Sequence, residues 1–138
     1  MVRINLIGPE RLADQHLIAE YNEMLMLLGY VRKHPEPIGI PERYTLGKGH
    51  IKFFKDKLLY IKKRHELIKT EMKKRDFQAN KTIGLDEFNK DLANDWRPDH
   101  NDIRIITSRL IEKLNLKPDY YNYYGRKRGK DFFIGLLR

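Results

Sequence analysis

The chain has 138 residues, of which 41% are hydrophobic and 34% charged, and it contains no cysteine. This composition excludes intrinsic disorder, a disulfide framework and a thiolate metal site, and no apolar run approaches the roughly 18 residues of a membrane span. Residues 1–10 lack the zones of a signal peptide, so we expect a cytoplasmic protein. The 28 Lys and Arg outnumber the 19 Asp and Glu, giving a net charge of +9, and this favours nucleic acid over a membrane surface as the partner.

The hydrophobic pattern predicts an all-α fold, with three helices joined by long loops in a single compact domain over residues 1–138. The first helix covers residues 11–33. Its apolar side chains recur at steps of three and four, which is the period of one helix face. They are Leu17, Tyr21, Met24, Leu28 and Val31.

Two further helices follow. The second covers residues 50–75, and residues 51–75 hold ten Lys or Arg against three acidic residues, so its outer face is strongly basic. Such a charge run marks either a solvated face or a phosphate-binding one. The third helix lies within residues 98–118, with Asp99 as its N-cap and Pro118 just past its end. A short helix is expected around residues 86–92, and no strand is expected.

The C-terminal segment is both aromatic and basic. Its four tyrosines are Tyr120, Tyr121, Tyr123 and Tyr124, and the cations Arg126, Lys127, Arg128 and Lys130 follow them. Aromatic rings beside cations suit nucleic acid, because the rings stack on bases while the cations hold phosphates. The alternative is that two tyrosines pack in the core and two lie on the surface. Phe132, Phe133, Leu136 and Leu137 are expected to pack against the core.

Glu23 is an acidic residue in the middle of a largely apolar helix. His16 lies seven residues earlier, so both side chains point the same way, two turns or roughly 10 Å apart. A carboxylate at risk of burial must be paired, hydrogen-bonded or protonated. From the residues alone, Glu23 is either a structural ion-pair partner or a catalytic acid.

The sequence lacks the motifs of metal-dependent, nucleotide-binding and serine-nucleophile enzymes. The five histidines show no metal-ligand spacing, so neither a metal site nor a cofactor is expected. The sequence LGKGH at residues 46–50 lacks most of a phosphate-binding loop, and no serine lies in a nucleophile elbow. An enzymatic nucleophile would have to come from elsewhere.

Several stretches, in order along the chain, resemble the pyrimidine-dimer DNA glycosylases of the phage endonuclease V type. They are RINL (3–6), LADQHLIAEY (12–21), Glu23, VRKH (31–34), LGKGHIKFFKDKL (46–58), KRHELI (63–68), RLIEK (109–113) and YNYYGR (121–126). The resemblance implies a three-helix domain whose N-terminal segment runs between the helices. It also implies an enzyme that flips a nucleotide out of damaged duplex DNA, cuts a glycosidic bond and breaks the strand by β-elimination.

The catalytic residues implied by the resemblance are Val2 and Glu23. Val2 supplies its α-amino group once Met1 is removed, and Glu23 assists the attack on the sugar and stabilises the resulting imine. No metal takes part, and the protein is expected to act on damaged double-stranded DNA as a monomer. The DNA-binding residues implied are Arg3, Gln15, His16, Asn22, Arg109, Lys113, Tyr120, Tyr121, Tyr123, Tyr124 and Arg126.

The chain departs from the family pattern near Glu23. Asn22 and Met26 stand where arginines are expected, Leu25 replaces a proline, and Tyr120 stands where a tryptophan is expected. Val2 replaces a threonine, which leaves an amine available. The missing arginines leave two alternatives open: a glycosylase or lyase for a different lesion, and a DNA-binding protein that has lost the chemistry. Retention of Met1 would also favour the DNA-binding protein without catalysis.

Overall fold

α-Helices dominate the computed structural model, which describes residues 2–138; Met1, and with it the question of its removal, lies outside the described residues. The mainly helical expectation is confirmed, but three helices is the wrong number, because the described residues form five. These are α1 (Asp14–Lys33), α2 (His50–Phe54), α3 (Leu58–Lys74), α4 (His100–Leu116) and α5 (Lys130–Leu137). Short 3-10 turns lie at Pro9–Arg11, Gly47–Gly49 and Lys90–Leu92, the last in place of the helix expected around residues 86–92.

The helix expected over residues 50–75 is interrupted between α2 and α3. The backbone of Lys57 leaves the helical region, with φ of −125° and ψ of 41°. Its ammonium group donates a hydrogen bond of 2.8 Å to the carbonyl oxygen of Phe53, and its backbone pairs with Ala93 in an isolated bridge. The interruption therefore coincides with a contact to a distant part of the chain. No Gly or Pro at this place in the sequence indicates a break in the helix.

A small antiparallel hairpin, β1 (Asn122–Tyr123) and β2 (Arg126–Lys127), corrects the expectation that the chain has no strand. Its turn residues Tyr124 and Gly125 have φ of 53° and 77°, and a type I′ hairpin turn requires positive φ at both positions. The Asp14 carboxylate, at the start of α1, accepts hydrogen bonds from both turn amides, at 3.1 and 2.8 Å. These bonds attach the hairpin to α1 and help to hold Tyr124 in its unfavourable conformation.

The hydrophobic core lies where α1 packs on α3, with α4 and α5 packed against each other beside it. The expected apolar face of α1 is buried, and Asp99 caps α4 as expected, in a reciprocal capping box with Asp102. Phe133 and Leu137 are buried and Phe132 and Leu136 pack against the core, as expected, although the helix that carries them was not predicted. The core also contains side chains from the segment before α1, namely Val2, Ile4, Leu6 and Ile7.

Candidate active site and nucleic-acid interface

The segment before α1 is held in the interior by side chains that bond its backbone. The N–H of Ile4 donates to Nε2 of His50 at 2.8 Å, and the carbonyl oxygen of Ile4 accepts from the Tyr44 hydroxyl at 3.1 Å. Nδ1 of His50 lies 2.8 Å from the carbonyl oxygen of Thr45, so the tautomer protonated at Nδ1 satisfies both ring nitrogens. Burial lowers the pKa of His50 and favours this neutral form. The N-terminal segment therefore has a defined path.

Glu23 lies half-buried on α1 and binds the backbone next to Val2. The N–H of Arg3 donates to Oε1 of Glu23 at 2.8 Å, and Val2, the residue before it, is buried. Burial raises the pKa of the Glu23 carboxyl, against the opposing effects of this hydrogen bond and of the Arg3 charge. A carboxyl with a raised pKa is better suited to exchange protons near neutral pH. The structure thus brings the expected residues Val2, Arg3 and Glu23 together.

The buried ion pair of this region belongs to Glu20. Both oxygens of the Glu20 carboxylate accept from the Arg64 guanidinium, at 2.8 and 3.0 Å, and both side chains are almost completely buried. The Asn5 amide donates to Glu20 at 2.9 Å and accepts from Nε of Arg3 at 3.1 Å. Within residues 2–138, Glu23 forms no salt bridge. Glu20 therefore has the structural role that the sequence allowed for Glu23.

His16 lies on the side of α1 that faces the C-terminal segment. Its ring packs on Tyr121 with the ring centres 4.6 Å apart. Burial, together with the positive charges of Arg3 and Lys113, lowers the pKa of His16 to about 3. His16 is therefore neutral at physiological pH, and the charges of Arg3 and Lys113 both act on it.

The C-terminal tyrosines divide between packing and exposure. Tyr121 is buried, and Tyr123 is partly buried with its hydroxyl donating to the carbonyl oxygen of Glu10 at 2.8 Å. Tyr120 and Tyr124 are about half exposed, at 49% and 46%. This division matches the alternative in which two tyrosines pack in the core and two lie on the surface, and stacking of the exposed rings on nucleic acid stays a prediction.

Gln15 joins α1 to this same segment. Its side-chain amide donates to the carbonyl oxygen of Tyr120 at 3.2 Å and accepts from the N–H of Asn122 at 3.0 Å. The polar group of Gln15 is therefore engaged within the protein, where it fixes the start of the hairpin beside α1.

The other expected DNA-binding residues lie at the surface. Asn22 is exposed on α1 beside Glu23, and Arg126 is exposed in β2. Arg109 and Lys113 are half-buried on α4, and Arg109 is 3.8 Å from Glu112, too far for a strong ion pair. Arg109 borders a groove of about 340 Å³ along α4, lined by Leu46, Arg104, Ile105, Ser108, Arg109 and Glu112.

The sequence interpretation missed the residues that position the N-terminal segment, namely Asn5, Glu20, Tyr44, His50 and Arg64. A signal existed for Glu20, because it follows Leu17 by three residues and precedes Met24 by four, in the middle of the apolar face. No comparable local signal existed for His50 or Tyr44, since their partners are 46 and 40 residues away.

No helix in residues 2–138 is both long enough and apolar enough to cross a membrane. The same residues contain no group of three or more His, Asp or Glu side chains arranged to hold a metal ion.

The N-terminal part of the chain matches a known protein family. A family model described as pyrimidine dimer DNA glycosylase matches residues 1–84, which is more than half of the chain. The matched part includes α1, α2 and α3 and therefore Val2, Glu23 and the side chains that hold the segment between them. The helix α4, the hairpin and α5 lie beyond it.

Proposed function

The chain belongs to the pyrimidine dimer DNA glycosylase family, and on this basis we propose that it cuts the glycosidic bond of a damaged nucleotide in duplex DNA and cleaves the strand through an imine on its own Val2. Membership supports the general role of a DNA glycosylase acting on pyrimidine dimers; the nucleophile and the lyase step are our proposal. The observation that carries it is the 2.8 Å hydrogen bond from the Arg3 N–H to Glu23, which holds the carboxylate one residue from Val2.

The proposed nucleophile is the α-amino group of Val2 after removal of Met1. An unperturbed α-amine has a pKa of about 7.7–8.0, so roughly a tenth of it is neutral at pH 7, against well below a thousandth for an unperturbed lysine. The Val2 side chain is buried, and the following backbone is bonded to Glu23 and His50. This anchoring leaves little motion to be lost before the amine attacks.

In the proposed reaction, one protein chain supplies both reacting groups, the Val2 amine and the Glu23 carboxyl. The amine attacks C1′ of the damaged nucleotide, the C1′–N bond breaks, and its electron pair leaves with the base, which takes up a proton from water. Glu23 accepts a proton from the attacking amine and returns it to the sugar ring oxygen as the ring opens, which leaves a protonated imine at C1′. The ionised Glu23 then stabilises the imine charge. Water then takes the C2′ proton, the C2′–H electron pair forms a C2′–C3′ double bond, and the 3′ phosphate leaves with the C3′–O electron pair. Hydrolysis of the imine by water restores the Val2 amine.

Binding of the duplex is proposed to rely on cations and tyrosines at the protein surface. Arg3, Arg109 and Lys113 would contact phosphates, and the half-exposed rings of Tyr120 and Tyr124 would contact bases or sugars. Flipping a nucleotide out of the stack requires strong binding of the DNA backbone on either side of it. The net charge of +9 supports such binding. Since all reacting groups belong to one chain, we propose that the protein acts as a monomer.

Borohydride trapping tests this proposal, because borohydride reduces an imine to a stable amine. The protein is incubated with a duplex that carries one thymine dimer, and any adduct is mapped by mass spectrometry, with an undamaged duplex as control. We expect an adduct on the Val2 nitrogen and none with the undamaged duplex.

Two other outcomes would change the proposal. Trapping on a duplex with an abasic site, but not on the dimer, would keep the lyase step and assign a different lesion, in line with the uncharged Asn22 and Met26 beside Glu23. Absence of trapping on both duplexes would overturn the enzymatic proposal and favour a DNA-binding protein without catalysis.

A further inference from the structure

An uncharged stripe runs along the exposed side of α1, on a chain with a net charge of +9. Its residues are spaced three or four apart and all are at least partly exposed: Gln15, Ala19, Asn22, Met26 and Gly29. Glu23 lies at the edge of this stripe. No cation lies in it before Lys33, the last residue of the helix. The helix face that carries the candidate catalytic acid therefore lacks the phosphate-binding groups that are abundant elsewhere on the surface.

Met26 is the large apolar side chain of this stripe, and it is 58% exposed. It follows Glu23 by three residues, which places the two side chains next to each other on the helix surface. One turn further on, Gly29 has no side chain, and apart from its two neighbours and the surrounding turns of helix backbone no described atom lies within 4 Å of where its Cβ would be. Met26 is thus a flexible, polarizable group with free space beside it at the candidate active site.

Two cations act on the Glu23 side of α1. Arg3 contacts Glu23 through its backbone, and the charges of Arg3 and Lys113 both act on His16, which shares the Glu23 side of α1. A duplex held by these cations at its phosphates would present its bases to the uncharged stripe. Contact with a phosphate does not stabilise an exposed thioether, whereas contact with the faces of unstacked bases does.

From this arrangement we propose that Met26 inserts into the base stack next to the damaged nucleotide and occupies the space that the flipped nucleotide leaves. Proteins that kink DNA use apolar side chains, methionine among them, to separate base steps. The occupant of the stripe is therefore duplex DNA at the lesion. This inference rests on the proposed function, since it requires that the chain binds damaged duplex.

The test uses a duplex with a tetrahydrofuran abasic-site analogue, which cannot form an imine, and 2-aminopurine at the neighbouring base. The fluorescence of 2-aminopurine rises when the base is unstacked. We compare the wild type with Met26→Ala, with Met26→Leu, which keeps the apolar volume, and with Leu67→Ala. Leu67 is a matched control because it lies on α3 and is 57% exposed, almost the same as Met26.

We expect the fluorescence to rise on binding of the wild type, Met26→Leu and Leu67→Ala. For Met26→Ala we expect most of that rise to be lost and the affinity to fall about tenfold, the order expected for burying one such side chain. The slope of log affinity against log salt should not change in Met26→Ala, whereas Lys113→Ala should reduce it by about 0.9, the effect of one lost phosphate contact.

Other results would overturn either the role of Met26 alone or the proposed function as well. An unchanged fluorescence rise and affinity in Met26→Ala, or a salt slope altered as in Lys113→Ala, would overturn the role of Met26 and leave the proposed function intact. A wild type that traps on borohydride but gives no fluorescence rise would also overturn it. A wild type that neither binds this duplex nor traps on an abasic site would overturn the proposed function as well.

Discussion

Glu20 and Glu23 lie three residues apart on α1, and their surroundings give them opposite properties. Glu20 is completely buried and both its oxygens bind the Arg64 guanidinium, so it is committed to holding the fold. Glu23 is half-buried, binds one backbone N–H and has a raised pKa because burial disfavours its charge. Of the two, Glu23 is the carboxyl that can gain and lose a proton during a reaction.

The substitution Glu23→Gln should separate catalysis from binding. The amide oxygen of the new side chain can still accept the hydrogen bond from Arg3, so the fold and the affinity for damaged duplex should stay within about twofold of the wild type. The proton transfer is lost, and we expect strand cleavage to slow by about 100-fold or more. Single-turnover cleavage and anisotropy titrations measure the two quantities.

Glu36→Gln is the matched control for this substitution, because Glu36 is exposed in the loop after α1, away from the candidate site. It should cleave at the wild-type rate. Cleavage by the Glu23→Gln protein at the wild-type rate would contradict the assigned role of Glu23.

At the scale of elements, Arg75 joins three parts of the molecule at the end of α3. Its guanidinium donates to Asp14 of α1 and to Glu71 of α3, both at 2.9 Å. It also lies 4.6 Å from the centre of the Tyr123 ring and 5.0 Å from that of Tyr124. The Arg75 guanidinium therefore adds a buried contact between the aromatic hairpin and the helices, beside the hydrogen bonds that the hairpin amides donate to Asp14.

Arg75→Met should destabilise the protein strongly. It leaves the carboxylates of Asp14 and Glu71 without their partner in the interior, and breaking a buried ion pair in this way costs about 3–5 kcal/mol. Arg32→Met makes the same change in an exposed pair with Glu87, where about 0–1 kcal/mol is expected. Urea unfolding followed by circular dichroism measures both. Equal losses in the two variants would contradict the assigned role of Arg75.

Periodicity predicted α1, α4 and the cap at Asp99, because these features depend on residues within one or two turns of each other. It could not predict the break at Lys57 or the hydrogen bond from Ile4 to His50, because both involve partners far away in the sequence. The hairpin had only a weak local signal, a Tyr-Gly turn in place of the usual Asn-Gly. Val2 and Glu23 were predicted as a pair from the family resemblance, and their proximity depends on the same long-range contacts.

At the scale of the whole molecule, three histidines are buried with lowered pKa values. Burial lowers the pKa of His50 and His65, and burial with two nearby cations lowers the pKa of His16 to about 3. Neither ring nitrogen of His65 has a hydrogen-bond partner among the described residues, and its ring stacks on Tyr21 at 4.8 Å. All three rings must therefore stay neutral in the folded protein, and they become charged only at a cost to stability.

This arrangement predicts that stability falls in mild acid. Below the ordinary histidine pKa of about 6.5 the unfolded chain binds protons that the folded chain excludes, so the free energy of unfolding decreases as pH drops from about 6.5 towards 3. His65→Phe keeps the stacking on Tyr21 and removes one such proton site. We expect the free energy of unfolding, measured in urea at pH 7 and pH 5, to fall less in this variant than in the wild type. The quantity compared is the change in the free energy of unfolding between pH 7 and pH 5. The expectation therefore holds even if the larger Phe ring lowers stability at both pH values. Equal losses in the two proteins would show that His65 takes up its proton without unfolding.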